Sequence, residues 1–377
     1  MQFEMVKKWL ISSGLVVTDA KDENFGGVHS FYDLKEGKFS FLYPEITGYY
    51  LSTLRFLYEN EKNEKYLDLS KASANWLVKI YNKYGGIVQG ISSDTSKLNE
   101  MFTFDTAICA KGLIDCFLLT HDQNYLEFAV KLVNWIIHEA LNDDGTIKPF
   151  KNLQTQEFVE SNEVWYKRKG CLHIKVSMPI LQLYQLTKQN TLLEKAIKIC
   201  NIYSKFQKPD GSFALHENNN VVNLHTQCYA MEGLLYAFSV TKNETYLESC
   251  KKAIKWSIQK IENDGSIRLW HNFRYQSKAS YPIAQLIRLM ILVDSLEKNN
   301  EYKNQIYTLH TFLLTMQILE GGKETSGGFI EEIYKSFTGW KKKQRLNSWG
   351  SMFALQALNW NENYENLPFE DAIDHLY

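Results

Sequence analysis

Six short glycine turns recur along this chain at intervals of roughly sixty residues, and they constrain its fold more than any other feature. They are Gly26-Gly27, Gly85-Gly86, Asp144-Gly145, Asp210-Gly211, Asp264-Gly265 and Gly327-Gly328. A short β-leaning stretch follows each, such as Val28-His29-Ser30-Phe31, Ser212-Phe213 or Phe329-Ile330. Glycine admits the positive φ that a tight turn needs. Apolar segments with helical periodicity fill the intervals. This pattern predicts an all-α chain, an (α/α)6 toroid or barrel of six helical hairpins joined by short β-turn loops. A ring of that kind encloses a central cavity, which is the natural place to look for a site.

Two kinds of helix alternate. Tyr66-Leu67, Tyr125-Leu126 and Tyr246-Leu247 each precede a tryptophan (Trp76, Trp135, Trp256) by ten positions, with lysines between the apolar residues. The segments 192–207 and 302–317 share this spacing, and all five read as half-exposed outer helices with the tryptophans in the core. The segments 43–58, 103–119, 171–186, 224–238, 281–296 and 347–359 are more apolar. Gly48, Gly112, Gly233, Ala230 and Ala354 would let them pack closely as inner helices. Residues 1–13 supply a helix to pair with the last inner one. Two inserts break the rhythm: residues 151–170, and residues 329–346 with the basic run Lys341-Lys342-Lys343.

A length of 377 residues could make two domains. The repeat argues for one toroid domain over residues 1–360, with an acidic C-terminal tail, 361–377, that packs loosely or mediates contacts. The net charge of -1 gives no footprint for nucleic acid. The first fifteen residues contain Lys7 and Lys8 and lack the apolar core of a leader. The apolar run 286–293 holds Arg288 and is too short for a membrane span, so no integral membrane segment is expected. Six scattered cysteines without a CxxC pair read as buried free thiols and suggest a cytoplasmic chain. No metal and no cofactor are expected; the oligomeric state is left open.

Chemistry should gather where the inner helices begin, because helix N-termini offer unpaired N–H groups and partial positive charge. The first turns carry Glu45 and Tyr49, then Asp105, then His173 and Lys175. They continue with His225, Tyr229 and Glu232, then Tyr281 and Gln285, then Asn347 and Trp349. Tyr229 and Glu232 fall four and seven residues after His225, so the three share a helix face. Together they offer base, acid and orienting group. Glu45 and Asp105 read equally as helix-dipole partners, and His225 and His173 equally as core histidines. His29, His271, Trp165, Arg168, Arg274 and Arg345 lie in loops that would rim the cavity. The aromatics would stack on sugar rings, and the arginines would hold a carboxylate or phosphate.

The segment Tyr43-Pro44-Glu45-Ile46-Thr47-Gly48-Tyr49-Tyr50, with Phe104-Asp105-Thr106, His225-Thr226 and Tyr229-Ala230-Met231-Glu232-Gly233-Leu234, resembles a known group. These are the six-hairpin toroid proteins encoded in surface-polysaccharide gene clusters of bacteria and archaea. The resemblance runs over nearly the whole chain, including Asn347-Ser348-Trp349. It implies kinship of fold with uronate lyases, unsaturated glucuronyl hydrolases, sugar 2-epimerases and glucuronyl C5-epimerases. The chain lacks the Asp-rich motif of protonating cyclases, the zinc ligands of prenyltransferases and a clear counterpart of the paired histidines of sugar 2-epimerases. The resemblance therefore implies a sugar-handling toroid rather than one reaction.

The expected function is a carbohydrate-active enzyme on an anionic, uronate-type glycan or its precursor. Proton abstraction next to a carboxylate would give epimerisation or β-elimination. His225 or Tyr229 would be the base and Glu232 its orienting partner; Arg274 and His173 would neutralise the carboxylate. Glu45, Tyr49 and Asp105 would bind hydroxyls, and Trp165 and Trp349 would stack. The alternatives are a glycoside hydrolase using Glu45 and Asp105, or one of them with Glu232, and a glycan-binding protein without turnover.

Overall fold

The computed structural model describes every residue except 93, 162 and 163. In chain order the elements begin with α1 (Gln2–Ser12), β1 (Phe31–Asp33), β2 (Lys38–Phe39), α2 (Pro44–Glu61) and α3 (Glu64–Tyr84). They continue with β3 (Glu100–Phe102), α4 (Thr103–Thr120), α5 (Gln123–Trp135), β4 (Phe150–Asn152), β5 (Phe158–Val159), α6 (Ser177–Thr187) and α7 (Asn190–Ser204). Next come β6 (Val222–Asn223), α8 (Leu224–Thr241), α9 (Glu244–Ile258), β7 (Trp270–His271), β8 (Ser277–Ala279) and α10 (Ser280–Glu297). The last are α11 (Lys303–Leu314), β9 (Glu332–Ser336), β10 (Gly339–Lys342), β11 (Arg345–Asn347), α12 (Ser348–Glu362) and α13 (Phe369–Asp374).

Two compact units divide the chain. The first comprises residues 16–30 and 41–205 with Tyr377; the second comprises 1–15, 31–40 and 206–376. In the first, α2 packs on α4 and α4 on α6, each backed by its outer partner α3, α5 or α7. In the second, α8 packs on α10 and α10 on α12, backed by α9, α11 and α1. Helix α1 thus occupies the outer position beside α12, as its sequence predicts. Its Trp9 Nε1 donates to the carbonyl of Glu324.

The inner and outer characters follow from which faces are apolar. Outer α3 buries Tyr66, Leu69, Ala72, Trp76, Leu77 and Ile80, one stripe at helical spacing, and leaves its lysines outside. Inner α10 is buried without a break from Pro282 to Asp294. Gly48 and Gly112 mark a close crossing: a Cβ on Gly112 would stand 2.4 Å from the carbonyl oxygen of Gly48. Helices α2 and α4 therefore touch backbone to backbone, and their N-terminal residues are drawn together.

Each of the six turns holds one glycine with positive φ: Gly26, Gly85, Gly145, Gly211, Gly265 and Gly327. Gly26 packs so tightly on α3 that a Cβ would fall 2.2 Å from the carbonyl of Ala72, and Gly327 sits likewise on Met5 of α1. Gly145, Gly211 and Gly265 rest on α7, α9 and α11. Each of these turns thus docks on the outer helix that follows it in the repeat. Gly85 differs: it caps α3, donating to the carbonyl of Tyr81, and a Cβ there would meet open space.

A second repeat, unread in the sequence, closes the inner-to-outer corners. Lys62, His121, Lys188, Lys242 and Lys298 end α2, α4, α6, α8 and α10 in the left-handed conformation. A cation at a helix C-terminus complements the dipole, and the Asn or Asp that follows three of them caps the next helix.

Several expectations change. The third inner segment begins as a 3-10 turn, Cys171–Val176, before α6, and α5 runs into a π-turn at Ile136–Ala140. Trp135 is only half-buried and stacks on Phe158 with centroids 5.9 Å apart. The inserts are not plain loops: β3, β4 and β5 form one small sheet, β8, β9 and β10 a second, and β11, β1 and β2 a third. Nor is the acidic tail loose. Phe369, Ala372, Ile373, Leu376 and Tyr377 are buried, and α13 packs on α8 and α10. All six cysteines are buried thiols outside any disulfide. Among the described residues no helix is long and apolar enough to cross a membrane.

Candidate functional site

In the first unit the start of α2 meets the start of α4. Tyr43 precedes Pro44, whose ring presets the first helical turn, and Glu45 follows in that turn. The Tyr43 hydroxyl donates to Asp105 Oδ2 at 3.2 Å and also bonds Glu45. Burial pushes Glu45 up to about 7, against the lowering pull of Tyr43 and Lys175. Burial and the Glu45 charge raise Asp105 well above the ordinary carboxylate range. The pair consequently holds at least one proton near neutrality. Lys175, wholly buried, lies with Nζ 5.0 Å from the ring centre of Tyr49. Tyr49 is 1% exposed and packs beside Tyr377.

Deeper between α2, α4 and α6 lies a second ionic cluster. Asp115 accepts from Lys111 at 2.8 Å, Arg55 at 3.0 Å, Ser52 at 2.5 Å and Gln182 at 2.7 Å. Burial alone would raise it, but Lys111 and Arg55 hold it at about 2.

In the second unit, α8 carries His225, which is half-buried. Its Nδ1 lies 2.5 Å from Gln285 Oε1. The Gln285 amide nitrogen donates to Glu232 at 3.1 Å, and Arg288 donates to the same carboxylate oxygen at 2.6 Å. Glu232, Gln285 and Arg288 are fully buried. The amide has one acceptor and one donor end, so the carboxylate fixes its direction. Oε1 then faces His225 and takes the Nδ1 proton, leaving the basic lone pair on Nε2. Tyr229 and Tyr281 lie 4.1 and 4.6 Å from the His225 ring, centre to centre. Phe353 stands 6.4 Å from that ring and 4.5 Å from the Arg288 guanidinium. Trp349 packs on Tyr281. Burial, with the charges of Glu331 and Glu332, pushes the Tyr281 phenol well up.

The second unit thus brings together His225, Tyr229, Glu232, Tyr281 and Trp349. Glu232 orients the imidazole through Gln285 rather than directly. Glu232 is completely buried and paired with Arg288. His173 is 1% exposed, and its Nδ1 sits 3.1 Å from the N–H and 3.0 Å from the carbonyl of Gly170 at the 3-10 turn. Arg274 is an exposed loop residue. Arg345 lies in β11 with its guanidinium over Phe31. His29 is half-buried and bridges to Leu42. In the first unit's insert, Trp165 packs edge-on against Tyr166, and Arg168 is half-buried nearby.

His271 lines a 340 Å³ pocket with Asp210, Trp256, Arg268, Trp270 and Phe273. Its Nε2 contacts the Arg268 carbonyl, and burial lowers it to about 4, so it is neutral at pH 7. A 640 Å³ pocket lies at the far end of α10, between Asp294 and Glu370, and none of the sequence-singled residues lines it.

Sequence reading missed Arg288 and Gln356 as members of the His225 network and Tyr43 as the bridge between carboxyls. Arg288 inside an otherwise apolar run, three residues after Gln285, was the signal for the first.

No protein-family model and no curated protein matches the sequence. Solved structures do. A cellobiose 2-epimerase from Bacillus thermoamylovorans superposes with a TM-score of 0.77 at 15% identity, covering 94% of this chain and 96% of the other. An unsaturated glucuronyl hydrolase from a Bacillus species gives 0.70 at 13%, covering 96% and 97%. A D-mannose isomerase gives 0.74 at 11%, covering 96% and 97%. At such identities the likeness shows the fold: this chain has the (α/α)6 toroid fold.

Proposed function

We propose that the chain is a sugar epimerase or isomerase in which His225 abstracts a proton from carbon. The observation that carries this reading is the Glu232–Gln285–His225 chain. A buried carboxylate fixes an amide, and the amide fixes the imidazole with its basic nitrogen on Nε2. That is what a general base needs before its substrate arrives. Tyr229, Tyr281 and Trp349 give the ring aromatic neighbours on which a pyranose can stack. Epimerisation beside the carbonyl of an open-chain sugar and aldose–ketose isomerisation share the same first step, removal of the hydrogen on the adjacent carbon. The solved structures of similar fold include enzymes of both kinds by name.

Proton NMR in deuterated water tests it, with cellobiose, mannose, glucose and a uronic-acid oligosaccharide as substrates. Deuterium entering next to the carbonyl, abolished in His225→Asn, is the expected result. Exchange that survives in His225→Asn overturns the assignment.

One observation favours a second reading. The Glu45–Tyr43–Asp105 group keeps a carboxyl protonated near neutrality, as a glycoside hydrolase requires of its general acid. Release of reducing sugar that vanishes in Glu45→Gln or Asp105→Asn, without deuterium exchange, would establish hydrolysis instead.

A further inference from the structure

The segment after α12 ends in a contact that reaches the His225 network. Phe369, Ala372 and Ile373 are buried where α13 packs on α8 and α10. That packing fixes the next residue, His375, whose N–H closes on the carbonyl of Ala372. The His375 carbonyl accepts from Gln356 Nε2 at 2.9 Å. Gln356 Oε1 accepts from Arg288 Nη1 at 2.7 Å, and Arg288 Nη2 donates to Glu232 at 2.6 Å. From Glu232 the chain continues through Gln285 to His225 Nδ1. Five successive hydrogen bonds therefore join the backbone of residue 375 to the imidazole.

We infer that residues 369–376 are a positioning element for His225, acting through Gln356 and Arg288. The inference rests on the reading of His225 as the base. A backbone carbonyl can only accept and a guanidinium can only donate, so both ends of the Gln356 amide are dictated. Arg288 is thereby given one fixed acceptor on α12 and one on α8. Glu232, Gln285, Arg288 and Gln356 are all 0% exposed, so water has no ready access to replace a lost partner. Loss of the His375 contact strands a buried amide N–H. The nearest way to relieve it is movement of Gln356, which releases one side of Arg288. Phe353 lies over the same guanidinium, so α12 holds Arg288 by both a ring face and an amide.

The test uses the full chain in two variants. Gln356→Leu cuts the link; Ile373→Ala loosens α13 and leaves every hydrogen-bonding side chain in place. The readout is the ring-nitrogen spectrum of 15N-histidine-labelled protein without substrate, with His225 assigned by its loss in His225→Asn. The unaltered chain is expected to show the Nδ1–H tautomer. Both variants are expected to show a mixture of tautomers. Where a sugar is turned over, kcat should fall about tenfold with KM within twofold. Unchanged His225 resonances in either folded variant overturn the inference. Because this signal needs no substrate, a moving ring in a chain that exchanges no sugar proton would leave the inference standing and remove the proposed function.

Discussion

The Nδ1 of His225 lies 2.5 Å from Oε1 of Gln285, and this contact decides which ring nitrogen is basic. Replacing Gln285 by leucine removes the acceptor facing His225 and one donor to Glu232. Turnover in the deuterium-exchange assay is expected to fall by about a hundredfold or more, the usual range for general-base positioning. Gln285→Glu places a second carboxylate beside Glu232 and should not restore the rate. Steady-state kinetics of the two variants, with near-UV circular dichroism to verify folding, checks this.

Glu45 yields a prediction in pH. Its folded value of about 7 lies above the ordinary carboxyl value of 4.5. The folded chain therefore holds this proton more tightly than the unfolded chain does. The resulting stability is fully present below about pH 4.5 and is lost as pH rises through 7. Glu45→Gln, which mimics the protonated form, should raise the melting temperature at pH 8 and change it little at pH 4.5. The gain should correspond to about 2–3 kcal/mol. Melting curves across that range decide it; equal shifts at both ends would contradict the buried, proton-sharing pair.

Asp115 runs the other way. Held at about 2 by Lys111 and Arg55, it contributes stability above about pH 4 that disappears as pH falls toward 2. Asp115→Asn leaves two buried cations without their shared anion and should cost about 3–5 kcal/mol at pH 7. Urea unfolding at pH 7 measures the loss, and the variant should show less of the acid-induced decline between pH 4 and 2.

Gly112→Ala tests the crossing of α2 and α4. The new methyl would stand 2.4 Å from the Gly48 carbonyl, so the helices must part. A penalty of about 1–3 kcal/mol is expected. Separation should also admit water to Glu45 and Asp105, so the pH-dependent part of the melting curve should move toward lower pH.

The architecture was legible because its signals are local. A glycine turn and a helical stripe are each complete within a few residues, and six copies place the hairpins. The corner repeat, Lys62-Asn63, His121-Asp122, Lys242-Asn243 and Lys298-Asn299, was equally local but passed unread. Nothing in its composition announces a left-handed lysine. The His225 network was only half legible. His225 and Glu232 share a helix face, but the amide joining them comes from α10, 60 and 53 residues away. Neutral amides carry no charge pattern, and Gln356 meets Arg288 across 68 residues. The tail misled for a related reason. Its acids face out, while Phe369, Ala372 and Ile373 are too few to register as a stripe.

The place of α1 beside α12 has a consequence for biosynthesis. Trp9 finds its hydrogen-bond partner 315 residues downstream. As the chain is made, the apolar face of Val6, Trp9, Leu10 and Ile11 must wait until α12, Ser348–Glu362, has followed before that helix can cover it. Every other outer helix follows its inner partner within a few residues. Docking of α1 is therefore a long-range step that opens only once both helices have been made.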